Sequence, residues 1–106
     1  MSILTIDDNR NVVQAVHAPV SGSTQQITLA AGVAGKTAAA LSAGLYRVYV
    51  PTGFTVRMAS GAFATAAATA TDMPLDAGEY YFGVNSGDTL SFYHATLTPT
   101  IEVTKV

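Results

Sequence analysis

The chain repeats itself. Residues 41–58 align without gaps on residues 75–92, at a constant offset of 34, and seven of the 18 aligned pairs are identical. The identities are Leu41/Leu75, Ala43/Ala77, Gly44/Gly78, Tyr46/Tyr80, Val50/Val84, Gly53/Gly87 and Thr55/Thr89. Val48/Phe82, Val56/Leu90 and Met58/Phe92 are similar in character. A stacked array needs three or more such units. Two copies read instead as one supersecondary unit used twice.

The residues of one copy indicate what that unit is. After Gly44 or Gly78, apolar residues recur at period 2, the period of a strand with one buried face. Tyr46, Val48 and Val50 share a face, as do Tyr80, Phe82 and Val84. A short turn at Gly53 or Gly87 reverses the chain, and Val56 and Met58, or Leu90 and Phe92, follow on the return. Each copy is therefore expected to be a hairpin with five inward residues. Two such faces make a core. The expected fold is all-β: a jelly-roll-like antiparallel β-sandwich of about eight strands with two similar hairpin units. The strands are expected near residues 2–6, 11–17, 25–29, 45–50, 54–59, 79–84, 89–94 and 101–106. Turn residues cluster at 7–9, 20–23, 51–53, 76–78, 85–88 and 98–99.

Helix signals are weak. Residues 36–42 could make one turn, marginal alone. The alanine-rich stretch 62–70 has no apolar stripe at helical spacing and reads as an extended edge segment. A length of 106 residues fits one domain. Within it, 24–106 is the sandwich and 1–23 an N-terminal segment, either an arm or the first strands.

Charge narrows the function. Charged residues make up 11% of the chain, against about 25% in a typical soluble domain. Hydrophobic residues make up 49%, which excludes disorder. A net charge of −2 with five basic residues excludes an electrostatic nucleic-acid binder. The absence of cysteine excludes disulfides, thiolate metal sites and a cysteine nucleophile. Two aspartates soon after the start argue against a secretion signal, and no run of about 18 apolar residues exists for a membrane helix. No membrane partner is expected, and the protein is expected to stay in the cytosol or assemble there.

The strand alternation turns Arg47, Tyr49, Arg57, Tyr81 and Tyr93 outward. Tyr and Arg are enriched at interfaces, so these five are the protein-interface candidates. Residues 11–35 and 58–71 contain no charged side chain, and neighbours are expected there too. His17 and His94 are strand histidines without a matched acid and nucleophile. Asp72, Asp76, Glu79 and Asp88 lack the dense spacing of a calcium loop, and Asp76 and Asp88 read as turn residues. Gly35-Lys36-Thr37 ends like a phosphate loop, but Ala30 stands where the first glycine belongs, so it reads as a loop. No catalytic constellation, metal site or cofactor site emerges, and the chain is expected not to be an enzyme.

The order 38–48, then Val56-Arg57-Met58, Ala64-Thr65-Ala66-Ala67, 73–82 and 87–92 resembles small virion proteins of tailed bacteriophages. The resemblance covers about residues 24–106. It implies a head decoration (cement) protein located in the virion and assembled in the host cytoplasm. Its partner would be the major capsid protein or another virion protein. It would form a homo-oligomer, a trimer before a dimer. Two alternatives accompany it: a tail, baseplate or fibre component, and a small carbohydrate-binding β-sandwich with Tyr49 and Tyr81 as its platform.

Overall fold

The alternation that marks the strands also decides which side of each one is buried. The computed structural model describes residues 4–6, 12–14 and 18–106. Ten strands occur among them, and no helix. The strands are β1 (Leu4–Ile6), β2 (Val12–Gln14), β3 (Gln25–Thr28), β4 (Gly35–Lys36), β5 (Gly44–Val50), β6 (Val56–Ala62), β7 (Met73–Leu75), β8 (Gly78–Val84), β9 (Asp88–Tyr93) and β10 (Thr100–Lys105). β1 and β2 pair only with each other. The other eight form two four-stranded antiparallel sheets, β3-β10-β5-β8 and β4-β9-β6-β7. The fold is thus the expected antiparallel β-sandwich. The pairing is nested: β3 joins β10, β4 joins β9, β5 joins β8 and β6 joins β7.

The repeated unit is not a hairpin. β5 and β6 lie in different sheets, as do β8 and β9. Each copy is an arch that crosses the core from one sheet to the other. Hairpin and arch have the same alternation, and pairing between copies decides the outcome. β5 pairs with β8 over seven residues, and β6 with β9 over six. Arg47 faces Tyr81 and Met58 faces Phe92, and each pair joins residues 34 apart. A local two-fold axis therefore passes through both pairs and exchanges the copies.

Local geometry repeats as well. Phe54 N–H donates to the Pro51 carbonyl at 3.3 Å, and Asp88 N–H donates to the Asn85 carbonyl at 3.1 Å. The third residue of each turn is a glycine at φ 89°, Gly53 or Gly87, as that turn position requires. The Tyr46 hydroxyl donates to the Ser42 carbonyl at 2.9 Å, and the Tyr80 hydroxyl donates to the Asp76 carbonyl at the same distance. The shared Leu-x-Ala-Gly-x-Tyr string thus has a physical purpose. Its tyrosine ties the strand back to the loop that enters it, and its leucine, Leu41 or Leu75, is buried.

All ten expected inward residues face the core. Tyr46, Val48, Val50, Val56, Met58, Val84, Leu90 and Phe92 are buried, joined by Ile27, Leu29, Ile101 and Val103. Tyr80 and Phe82 are only partly buried. The reason is position: β8 is an edge strand, whereas its counterpart β5 has a neighbour on both sides.

Other expectations need correction. Gly35-Lys36 is not loop but the edge strand β4. A Cβ on Gly35 would lie 2.8 Å from Leu29 Cδ2 and 3.1 Å from Ile27 Cγ2, so this short strand packs against the core through bare backbone. Residues 36–42 form no helical turn. β6 runs to Ala62, and the alanine-rich chain then turns away instead of continuing as an edge strand. The short strand β7 had no periodic signal. The expected turn at 7–9 and His17 lie outside the described residues. Residues 18–23 join the sandwich through Val20 N–H, which donates to the Lys105 carbonyl at 2.8 Å.

Candidate functional site

Strand register divides the five outward candidates between two faces on opposite sides of the sandwich. Arg47, Tyr49 and Tyr81 lie on the outer face of the β3-β10-β5-β8 sheet, and Arg57 and Tyr93 on that of the other. Each face carries an Arg/Tyr cross-strand pair: Arg47 opposite Tyr81 in the middle of the β5–β8 ladder, and Arg57 opposite Tyr93 at the end of the β6–β9 ladder.

The first face is polar and internally matched. Three cross-strand hydrogen bonds tie β3, or Thr24 beside it, to β10. They are Thr24 Oγ1 to Thr104 Oγ1 at 2.8 Å, Gln26 Nε2 to Glu102 Oε1 at 3.2 Å and Thr28 Oγ1 to Thr100 Oγ1 at 2.9 Å. Arg47 Nη2 donates to Glu79 Oε1 at 2.6 Å, and its guanidinium lies 5.6 Å from the centre of the Tyr49 ring. The hydrogen bond and then the positive charge of Arg47 hold the Glu79 carboxyl below its ordinary range. The same hydrogen bond raises the Arg47 guanidinium further. Glu79 is exposed and Arg47 half-buried, so solvent screens the pair and this is an orienting contact more than a source of stability. Pro19, Thr24, Arg47, Tyr81, Glu102, Thr104 and Val106 line an open hollow here.

The second face is mostly covered by the chain itself. Ala59 pairs with Ser91 and Gly61 with Thr89, giving a floor of small residues. The connection 63–72 lies on that floor. Ala68 is buried, and its N–H donates to Ser91 Oγ at 2.9 Å. Lys36 Nζ donates to the Phe63 carbonyl and sits 4.3 Å from the centre of its ring. Arg57 Nη1 donates to the Asp72 carbonyl at 3.2 Å, and Asp72 Oδ2 accepts from the Thr69 N–H and hydroxyl. The uncharged stretch 58–71 thus has a partner within the chain, namely its own sheet. What stays open is the Arg57/Tyr93 end, where Thr55, Arg57, Ala70, Tyr93, His94 and Ala95 line a second hollow.

His94 follows β9 and organises the next loop. Its Nδ1 accepts from the Thr96 N–H at 3.2 Å and the Leu97 N–H at 3.0 Å, and its ring meets Phe54 edge-on at 6.1 Å. Sequence reasoning read it as a packed or surface strand histidine and missed this role, whose only signal is the polar loop after it. Asp76 lies in the short connection between β7 and β8, where its Oδ1 accepts from the Thr55 hydroxyl at 3.0 Å, and Asp88, expected in a turn, is the first residue of β9. Among the described residues, no three His, Asp or Glu side chains converge as metal ligands would, and no helix is long and apolar enough to cross a membrane. The arrangement offers recognition through guanidinium, phenol and carboxylate groups on the open face of one sheet and at the uncovered Arg57/Tyr93 end of the other. Comparison with protein families, with curated proteins and with solved structures finds no match to this chain.

Proposed function

We propose that the chain is a structural virion protein of a tailed bacteriophage, a decoration or cement protein that binds the assembled head and stabilises it. The observation that carries this reading is the Arg/Tyr cross-strand pair on each outer face, Arg47/Tyr81 in mid-ladder and Arg57/Tyr93 at the open end. Arg and Tyr are leading hot-spot residues. With one pair on each side, a single copy has two contact faces, as a clamp between neighbouring capsomers requires. We also read the nested strand order as a jelly roll, an eight-strand plan found in capsid and lectin domains. That support is analogy at the level of fold.

Binding the lattice and not the free subunit stabilises the lattice by mass action. Many copies on one shell add avidity. The partner is the major capsid protein or another virion protein, and the chain is expected to self-associate as a trimer before a dimer. The test is the protein content of purified virions. A 10.9 kDa component in hundreds of copies supports the head assignment. A handful of copies moves the chain to the tail, baseplate or fibre. Its absence refutes the virion reading.

A further inference from the structure

Only one of the two outward arginines is neutralised. Arg47 donates to Glu79 at 2.6 Å and shares its hollow with Glu102. Arg57 donates to the backbone carbonyl of Asp72, a neutral acceptor, and no carboxylate among the described residues forms an ion pair with it. The hollow beside Arg57 has a volume of about 260 Å³ and no acid in its lining.

The other polar groups of that hollow strengthen the asymmetry. His94 Nδ1 accepts two backbone N–H groups, so its imidazole carries the proton on Nε2 and that nitrogen is a donor. Tyr93 supplies a phenol. The Thr55 hydroxyl is already committed to Asp76 as a donor. A cation without an ion pair, a ring N–H and a phenol, in a hollow whose lining holds no acid and whose nearby Asp76 is engaged by Thr55, select an anion. The flat fork of a guanidinium matches a carboxylate in two parallel hydrogen bonds.

We propose that this hollow is a carboxylate-binding site that receives an Asp or Glu side chain of a protein partner. Arg57 is the anchor, and Tyr93 and His94 are further donors. An ionised carboxylate is acceptor-only, which suits a donor-rich pocket. A sugar would bring many hydroxyl donors, and no carboxylate or amide side chain lines the hollow to accept them. That the partner is a protein rests on the virion reading above; the carboxylate preference rests on the hollow alone.

The experiment is a titration of the ¹⁵N-labelled full chain, followed through its amide resonances, with N-acetyl-glutamate methylamide. The neutral N-acetyl-glutamine methylamide and glucuronate run beside it. Saturable shifts at Ala70, Tyr93, His94 and Ala95 with the glutamate compound, and about tenfold or more weaker binding of the glutamine compound, are expected. Arg57→Gln should abolish the preference, and Lys105→Gln, which removes a charge on another strand, should keep it. Equal binding of the glutamate and glutamine compounds by the unaltered protein overturns the proposal, whatever the folding of the variants. Tighter binding of glucuronate than of the glutamate compound overturns the protein partner in favour of an acidic sugar. Virion occupancy is scored separately. Absence of the chain from particles overturns the virion reading, and undiminished occupancy by the Arg57→Gln protein overturns this docking site.

Discussion

Gly53 and Gly87 occupy equivalent positions in the two arches, both at φ 89°. A Cβ built on either meets nothing within 4 Å. Replacing either with alanine therefore costs only backbone strain. Holding an L-residue at positive φ costs about 1–2 kcal/mol. Loss of glycine's freedom in the unfolded chain returns about 0.4–1 kcal/mol. The net cost is about 1 kcal/mol for each variant. The two turns lie at opposite ends of the β5–β8 ladder, because Gly78 pairs with Val50 and Gly44 with Val84. Seven residues at about 3.3 Å each put them about 20 Å apart, so the costs should add. Gly53→Ala and Gly87→Ala should each lower Tm by about 4–8 °C, and the double variant by about twice that. Urea unfolding followed by far-UV circular dichroism should show the lower midpoint with an unchanged slope. A neutral result for one variant beside several kcal/mol for the other would refute the equivalence of the arches. Two neutral results would refute the positive-φ turns themselves.

Four further outcomes follow from packing and charge. Phe92 is wholly buried, and Phe92→Ala should cost about 3–5 kcal/mol in chemical unfolding. Gly35→Ala should cost about 1–3 kcal/mol by overpacking against Leu29 and Ile27, although its backbone suits alanine. The buried Thr37 and Thr89 hydroxyls bond at 2.5 Å, so either single Thr→Val change should cost about 1–3 kcal/mol and the double change less than the sum, as read by a double-mutant cycle. The Glu79 carboxyl is lowered by Arg47, so their contact contributes above the ordinary carboxylate range and is lost as pH falls through the lowered value. Glu79→Gln should therefore shift the urea midpoint slightly at about pH 7, and the difference should vanish in acid and narrow in high salt.

Much of the fold is legible in the residues. Period-2 alternation after Gly44 and Gly78 identifies β5, β6, β8 and β9 and all ten of their inward side chains. The connection between those strands is not legible, because a hairpin and an arch bury the same residues. Pairing between the two copies, β5 with β8 and β6 with β9, decides it, and no local pattern encodes that. β4 and β7 have two and three residues, too few to show a period. Of the candidate site, the outward direction of Arg47, Tyr49, Arg57, Tyr81 and Tyr93 is legible, but their division between two faces depends on the arch. The lack of charge in 58–71 was visible, but its cause was not. Ala59, Gly61 and Ser91 form a floor for Ala66 and Ala68 only once β6 and β9 are in register. The Tyr46 and Tyr80 hydroxyl bonds had a usable signal: an identical tyrosine at an identical distance after an identical glycine.

Nested pairing also sets the order in which the chain can fold as it is made. β5 must wait for β8, β4 for β9 and β3 for β10, so the earliest strands of the sandwich have the latest partners. Within the two four-stranded sheets, only β6 and β7, near the middle, are neighbours close in sequence. A growing chain therefore leaves the ribosome with its first arch open. Of the pairs nested outside that middle one, β3 and β10 are the furthest apart in sequence and close the longest loop. Such long-range closure is slow for a chain of this size, on the order of milliseconds to seconds. Until residues 100–105 emerge, one side of β5 is a bare edge, and a nascent chain beside another is most exposed to mispairing at that stage.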